Sequence, residues 1–183
     1  FNINIFVETG TYHGKGLSHA MNFNFDRYYS IELLDQFYNE CISKFRNINN
    51  TKILKGVSYE VLPDIMKELN DSDSVLFWLD AHLPHHHGGI RFSDEIEVPL
   101  ELELRSIVSN RDVSNDYFIM DDLRIYEDGP YFGQNWKDRY QFGDKVDGID
   151  FVYELFNKTH NIKKDFNNEG YLFVSPKNNN NNK

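Results

Sequence analysis

The sequence predicts an α/β fold in which a doubly wound, mostly parallel sheet of seven strands carries helices on both faces. Strand patterns and helix patterns alternate along the chain, which implies right-handed crossovers and a parallel sheet. The run VLFWLD at 75–80 is apolar up to its last residue, as expected of a strand that is covered on both faces. The 183 residues, 40% of them hydrophobic, are enough to enclose one sizeable core.

Short β-branched and aromatic runs, and apolar residues at helical spacing, define the elements of the first part of the chain. Strands are predicted at 3–8, 28–32, 51–55 and 75–80, and helices at 17–23, 33–48, 58–69 and 98–108. Ser58 is expected to be the N-cap of the third helix, and Pro99 falls in the first turn of the fourth. Both residue types are typical of helix starts.

The second part of the chain interrupts the alternation once. A fifth strand at 116–122 is followed by the segment 123–148, which is rich in glycine and aromatic residues and has no period. A loop of that length inside a domain is usually functional. A helix at 149–159 and two strands at 162–166 and 171–175 then complete the sheet. The aromatic residues of the loop either stack on a sugar as part of a lid or pack the loop onto the domain: Tyr126, Tyr131, Phe132, Trp136 and Tyr140.

These elements predict a single domain over residues 1–176, followed by a disordered Asn-rich tail at 177–183. The chain opens on Phe1 and enters a strand almost at once. We therefore expect it to be part of a longer polypeptide that carries further domains.

The composition limits the partners. A net charge of −10 argues against a nucleic-acid backbone or an anionic membrane as the main partner, and it suits a small neutral or cationic ligand or a divalent metal ion. Cys41 is the only cysteine, so a disulfide framework is excluded and a buried structural thiol is expected. No apolar run approaches the roughly 20 residues of a membrane span, and no signal peptide is visible. We expect a cytoplasmic protein, of a cell or of an infected host cell, and the sequence leaves its oligomeric state open.

The residues at the strand ends are informative, because ligands bind outside the carboxyl ends of the strands in a doubly wound sheet. Acidic residues end four of the predicted strands: Glu8, Glu32, Asp80, Asp121 and Asp122. Neighbouring carboxylates repel one another, so such a cluster indicates a binding site. A solvated rim of the sheet is the alternative.

The first predicted strand runs into a glycine-rich turn, VETGTYHGKG. It is not the dinucleotide fingerprint G-x-G-x-x-G, because Thr11 and Tyr12 stand where the second glycine is expected, and this argues against an NAD-dependent dehydrogenase. Glu32, about twenty residues further on, is placed to accept hydrogen bonds from ribose hydroxyls. Together the turn and the acid predict a nucleoside-bearing cofactor. His13 in this turn either touches that cofactor or faces water.

In the order VETGTYHGKG, YYSIE, ILKGVSYEVLP, FWLDAH and YFIMDD, the chain resembles the class I S-adenosylmethionine-dependent methyltransferases, which have a Rossmann-like fold. It is most similar to the metal-dependent sugar O-methyltransferases of the macrocin and mycinamicin type, over residues 3 to about 175. Val57 departs from the pattern, because the family often has an acidic residue there. The resemblance implies that S-adenosylmethionine is bound by Glu8, Thr9, Gly10, Thr11, Gly14, Glu32, Ser58 and Asp80.

The resemblance also implies a metal site. In these sugar methyltransferases an Asp after the fourth strand and two consecutive Asp after the fifth hold a magnesium ion, and the matching residues are Asp80, Asp121 and Asp122. Oxygen ligands of this kind favour Mg²⁺, Mn²⁺ or Ca²⁺. His82 stands at the position of the family's general base, where relatives carry an aspartate. Asp80 and His82 are the predicted catalytic residues, since a cation acidifies the acceptor hydroxyl and an imidazole removes its proton.

Three further histidines, His85, His86 and His87, lie in a polar loop with two glycines. Such a run is usually solvated. The alternative is that one of them lines the acceptor pocket together with Arg91.

The predicted function is transfer of a methyl group from S-adenosylmethionine to a sugar hydroxyl, in glycan or nucleotide-sugar modification, with the help of a divalent cation. Two alternatives stay open. One is an O-methyltransferase acting on a catechol-like or other small hydroxylated molecule, and the other is a catalytically silent module that binds the cofactor. The expected partner is a small-molecule or glycan acceptor, with no nucleic acid and no membrane.

Overall fold

A computed structural model describes residues 3–82, 98–132, 135 and 148–177. Its strands are β1 (Ile5–Thr9), β2 (Arg27–Glu32), β3 (Thr51–Lys55), β4 (Val75–Leu79), β5 (Tyr117–Met120), β6 (His160–Asp165) and β7 (Tyr171–Pro176). Its α-helices are α1 (Lys15–Ala20), α2 (Asp35–Phe45), α3 (Ser58–Glu68), α4 (Leu100–Asn110) and α5 (Asp150–Phe156).

The seven strands of the described ranges form one sheet in the order β3-β2-β1-β4-β5-β7-β6. Strand β1 is the middle one of the five parallel strands and pairs with β2 and with β4, while β3 and β5 extend the parallel part on either side. Strand β7 is antiparallel to both β5 and β6. The strand order reverses between β1 and β4, which is where a doubly wound sheet leaves a crevice at its carboxyl edge. The predicted fold class is confirmed.

Helices cover both faces of this sheet. On one face Leu62, Leu104 and Phe156, from α3, α4 and α5, join the apolar residues of the central strands in the larger core. On the other face Leu17 of α1 and Cys41 of α2 belong to a smaller core. Cys41 is a buried free thiol, as predicted.

Most boundaries of the helices and strands lie within a few residues of the predicted ones. The starts of α3 and α4 differ from the prediction. Val57 is the N-cap of α3, and Ser58 is already its first helical residue. Pro99 stands immediately before α4 rather than inside its first turn. The segment after β5 begins with a 3-10 turn, Leu123–Ile125, where no regular structure was predicted.

No helix among the described residues combines the length and the apolar composition that a membrane crossing requires. Several sequence predictions lie outside the described residues: those for His85, His86, His87, Arg91, Trp136, Tyr140 and the tail beyond residue 177.

Candidate functional site

A cleft opens beside the carboxyl ends of β1, β2 and β4. Its lining comes from the turn after β1, the end of β2, the start of α3 and the segment after β4. Gly10, Glu32, Ser58 and Asp80 all line it, and these four residues were predicted to contact the cofactor. The location follows from the strand order, because the crevice lies where that order reverses.

Gly10 lets the turn after β1 lie directly against the segment after β4. Its φ is 80°, in the left-handed region that favours glycine, and a Cβ atom there would collide with the backbone oxygen of Asp80. Its N–H donates to the carbonyl oxygen of Ile31 at 3.0 Å. Any larger residue would push the turn away from β4 and disturb the cleft.

Glu32 ends β2 with its carboxylate held from two sides. Oε2 accepts a hydrogen bond from the N–H of Tyr12 at 2.7 Å, and Oε1 accepts one from the N–H of Leu34 at 2.7 Å. The residue is 5% exposed, and burial raises its pKa although the backbone N–H groups oppose the shift. The N–H of Leu33 also contacts this carboxylate, and of its roughly four acceptor positions one remains for a ligand hydroxyl group.

The cleft also has an apolar part, to which Ile31, Leu34, Phe37 and Val57 contribute. Side chains of this kind are suited to burying a flat ring. Val57 offers no side-chain hydrogen bond, so a ring bound here is held by packing and by backbone groups.

Glu8, Thr9 and Thr11, which were also predicted to contact the cofactor, are buried and do not line the cleft. Glu8 accepts a hydrogen bond from the hydroxyl of Ser30 at 2.5 Å, and the Ser30 oxygen lies 2.5 Å from that of Thr11. Burial raises the pKa of Glu8 to about 8, against the opposing hydrogen bond from Ser30. These side chains support the turn from within the protein.

Gly14 likewise lies away from the cleft, and its role is to let α1 pack against α2. A Cβ atom at Gly14 would lie 2.6 Å from the Phe45 ring and 3.1 Å from Sγ of Cys41. Its φ of 66° adds a second requirement for glycine. Helix packing therefore accounts for this glycine.

A second group of side chains lies where β4 and β5 end. Nε2 of His82 is 2.6 Å from Oδ2 of Asp122, and Nδ1 of His82 is 3.3 Å from Oδ1 of Asp80. Asp80 and His82 both line the cleft. The imidazole thus bridges two carboxylates, and we call these three residues the Asp80–His82–Asp122 cluster.

The charges within the cluster shift its pKa values. Burial raises the pKa of Asp80 to about 7; the charge of His82 lowers it, and those of Asp121 and Asp122 raise it. Burial alone would lower the pKa of His82, but the hydrogen bond to Asp122 and the charge of Asp80 outweigh it, so that this pKa is raised. The imidazole therefore holds its proton more tightly than a solvated histidine does.

This arrangement differs from the metal site that the resemblance implies. Oδ1 of Asp121 accepts a hydrogen bond from the N–H of Asp122 at 2.8 Å. Oδ1 of Asp122 lies 3.5 Å from Nε of Arg124, while its other oxygen faces His82. Within the described ranges, no group of three or more histidine, cysteine or acidic side chains is arranged to hold a metal ion. Asp80, Asp121 and Asp122 as they stand do not form such a group, because Nε2 of His82 pairs with Oδ2 of Asp122 and the N–H of Asp122 with Oδ1 of Asp121. Oδ1 of Asp122 is buried without a hydrogen-bond partner among the described residues.

One buried acid at the site was not predicted. Glu103 on α4 is 1% exposed, and burial raises its pKa to about 7. It lines a small cavity together with His82. A signal for it exists in the sequence, because Glu103 stands three residues after Leu100, on the stripe of α4 that should be apolar.

The other described residues that the sequence suggested as ligand contacts do not line the cleft. Nδ1 of His13 lies 2.9 Å from Oε2 of Glu40. Tyr126 and Tyr131 are buried in the larger core, which favours packing over ligand stacking for these two rings. Phe132 is 91% exposed, so its ring is free to meet a ligand.

The structure is similar to those of several methyltransferases. The methyltransferase PaMTH1 from Podospora anserina, solved with S-adenosylhomocysteine, matches with a TM-score of 0.62 and 13% identity, over 96% of this chain and 72% of that one. A Staphylococcus aureus protein described as a caffeoyl-CoA O-methyltransferase matches with a TM-score of 0.65 and 13% identity, over 96% and 77% of the two chains. The chain has a methyltransferase fold.

A third methyltransferase fold, that of the Bacillus cereus O-methyltransferase in complex with S-adenosylhomocysteine, matches with a TM-score of 0.59 and 13% identity, over 95% of this chain and 74% of that one. No protein-family model matches the sequence, and no curated protein matches it. The likeness is therefore one of fold, and a fold alone does not determine an activity.

Proposed function

We propose that this chain binds S-adenosylmethionine in the cleft and transfers its methyl group to a hydroxyl oxygen. The observation that carries the proposal is the position of Glu32, whose carboxylate is fixed at the end of β2 beside the Gly10 turn. In support, two of the similar structures contain S-adenosylhomocysteine, the molecule that remains after the methyl group has left.

Each portion of the cofactor has a matching part of the cleft. Glu32 accepts a hydrogen bond from a ribose hydroxyl. The apolar side chains of Ile31, Phe37 and Val57 enclose the adenine. Gly10 allows the methionine portion to approach the backbone closely. The acidic lining also attracts the positively charged sulfonium group.

The Asp80–His82–Asp122 cluster removes the hydroxyl proton of the acceptor. Methyl transfer forms a bond between the acceptor oxygen and the methyl carbon, breaks the bond between that carbon and sulfur, and releases the hydroxyl proton. The cluster takes up this proton as one coupled unit: the carboxyl group of Asp80, which lines the cleft, receives it, and His82 holds Asp80 and Asp122 in place. Proton removal of this kind contributes about 10²–10⁴-fold, and alignment of the reacting atoms contributes about 7–11 kcal/mol.

The proposed acceptor is a sugar hydroxyl of a glycan or nucleotide sugar. The sequence resemblance supports this choice, as do the polar side chains of Asp80 and His82 at the cleft. The proposal contains no step through a metal ion, because the described side chains do not form a group that fits one.

The second candidate is a phenolic acceptor. The S. aureus protein described as a caffeoyl-CoA O-methyltransferase favours it, since that name denotes a phenolic substrate. Both candidates use the same cofactor cleft, so only the acceptor distinguishes them.

Methyl-labelled S-adenosylmethionine, offered with a sugar panel and a phenol panel, tests the proposal. We expect label to enter a member of the sugar panel. Label in phenols alone supports the second candidate. Cofactor binding without transfer to either panel supports a silent binding module, and absence of cofactor binding contradicts the proposed function altogether.

A further inference from the structure

The buried acid Glu103 has no role in the function proposed above. Its side chain lies on the face of α4 that also buries Leu100 and Leu104. A carboxyl group placed among apolar side chains lowers stability unless its partners compensate. Its presence on this face therefore calls for a functional explanation.

Glu103 contacts residues of the cofactor cleft and also residues at the ends of β1 and β4. The side chains of Ser58 and Thr9 lie beside its carboxyl group, where they lower its pKa against the effect of burial. Ser58 lines the cleft. Oγ1 of Thr9 accepts a hydrogen bond from the N–H of Asp80 at 3.3 Å. One carboxyl group thus connects the first turn of α3 with the residues at the ends of β1 and β4.

The second oxygen of Glu103 faces a different environment. Oε1 is buried and has no hydrogen-bond partner among the described residues. Glu103 lines a cavity of about 10 Å³ together with His82, Asp121 and Tyr126. That volume is close to the minimum for one water molecule, and these side chains offer the polar partners that a buried water needs.

We propose that Glu103 is a positioning residue: it fixes the wall between the cofactor cleft and the Asp80–His82–Asp122 cluster, and a water in the small cavity joins its Oε1 atom to that cluster. The inference rests on the proposed function, since it takes the cleft to be the cofactor site. Glu103 acts on the reactants only through Ser58, Thr9 and this water.

Three variants test the proposal. Glu103→Gln keeps an acceptor oxygen beside Ser58 and Thr9 and has an amide that can donate to the water. Glu103→Met keeps the length of the side chain and removes its polar atoms. Ser106→Ala is the matched control, because Ser106 also ties α4 to α3, by donating to the backbone oxygen of Tyr59 at 2.9 Å, but does not line the cleft.

We expect Glu103→Gln to bind S-adenosylhomocysteine as the wild type does in calorimetry, and Glu103→Met to bind it about tenfold more weakly. The Tm of Glu103→Met should equal or exceed that of the wild type, because an apolar group replaces a buried carboxyl group. Ser106→Ala should leave the Kd unchanged. A Glu103→Met protein with a lower Tm and the wild-type Kd overturns the proposal, since that is the pattern of a purely structural residue.

A second readout uses the protein without ligand and does not depend on the proposed function. The imidazole ¹⁵N resonances of His82 report its bonds to Asp80 and Asp122. Glu103→Met should shift them, whereas Glu103→Gln and Ser106→Ala should not. If the wild type binds no S-adenosylhomocysteine and the shift is observed, the proposed function fails and the positioning role stands. Unshifted resonances overturn the positioning role, whether or not the cofactor binds.

Discussion

Nε2 of His82 lies 2.6 Å from Oδ2 of Asp122, so a residue that follows β4 is paired directly with one that follows β5. The two strands are parallel neighbours, and their carboxyl ends meet at the same edge of the sheet. The pair therefore holds the imidazole at a fixed place beside the cleft, and the proposed proton removal depends on that place.

Replacing His82 by glutamine should slow methyl transfer without weakening cofactor binding. The amide cannot hold the carboxylates of Asp80 and Asp122 as the imidazole does, so proton uptake by the cluster is impaired and we expect the rate to fall by about 10²–10⁴-fold. Transfer assays and calorimetry with S-adenosylhomocysteine measure the two effects separately. His19→Gln, at an exposed histidine of α1, is the control. A His82→Gln protein with the wild-type rate would show that the cluster does not handle the proton.

Removal of divalent metal ions should leave methyl transfer unchanged. His82 and Arg124 already face the two oxygens of Asp122, and the described side chains do not form a group that fits a cation. The check is the transfer rate after EDTA treatment and gel filtration, with and without added Mg²⁺, beside a Mn²⁺ titration followed by electron paramagnetic resonance. A rate that disappears with EDTA and returns with Mg²⁺ would restore the metal site that the sequence resemblance implies.

Stability should fall as the pH rises from about 5 to 8. The pKa of Glu8 in the folded protein is about 8, above its ordinary value, so the folded state keeps a proton that the unfolded chain has lost. Each such proton lowers the free energy of unfolding by about 1.4 kcal/mol per pH unit. Asp80 and Glu103, whose pKa values are raised to about 7, act in the same direction.

The variant Glu8→Gln measures how much Glu8 contributes to the pH dependence of the free energy of unfolding. The variant keeps an acceptor for the Ser30 hydroxyl and has no proton to lose, so its slope should be smaller by about 1.4 kcal/mol per pH unit. Urea unfolding of both proteins at several pH values between 5 and 8 measures the difference. Equal slopes would mean that Glu8 is ionised in the folded protein.

Two glycines of the same turn should respond differently to alanine. Gly10→Ala should abolish binding of S-adenosylhomocysteine, because its Cβ atom would collide with the backbone of Asp80 at the cleft. Gly14→Ala should destabilise the protein by about 1–3 kcal/mol through strain and crowding against Phe45, and the folded fraction should bind normally. Calorimetry below the Tm of each variant separates the two cases. Loss of S-adenosylhomocysteine binding in Gly14→Ala would show that Gly14 belongs to the cofactor site.

The doubly wound sheet and the edge at which its cleft lies follow from the sequence, because alternating strand and helix patterns imply such a sheet and ligands bind at the carboxyl ends of its strands. Glu32 and Asp80 could be predicted at the cleft for that reason. Glu8 could not be separated from them, because it is followed by Thr9 within β1 and its side chain turns into the protein instead. A shift of one residue in register reverses the face on which a side chain at a strand end lies. A sequence pattern does not locate the end of a strand that accurately.

The contacts within the site were harder to predict. The bridge that His82 makes depends on Asp122, whose φ of 53° is a left-handed conformation that a pair of aspartates does not specify. Ser58 is a residue type that often caps helices, yet it is already the first helical residue of α3, and its side chain lies beside Glu103. Both contacts join segments that are far apart in the chain, so local patterns carry no information about them.

Calorimetric titration with S-adenosylhomocysteine tests the central claim, that the cleft beside Glu32 is a cofactor site. We expect one molecule to bind per chain, Glu32→Gln to weaken binding by about 10- to 100-fold through the lost charged acceptor, and Glu40→Gln, at an exposed glutamate outside the cleft, to have no effect. No binding by the wild type, or equal binding by Glu32→Gln, would contradict the account.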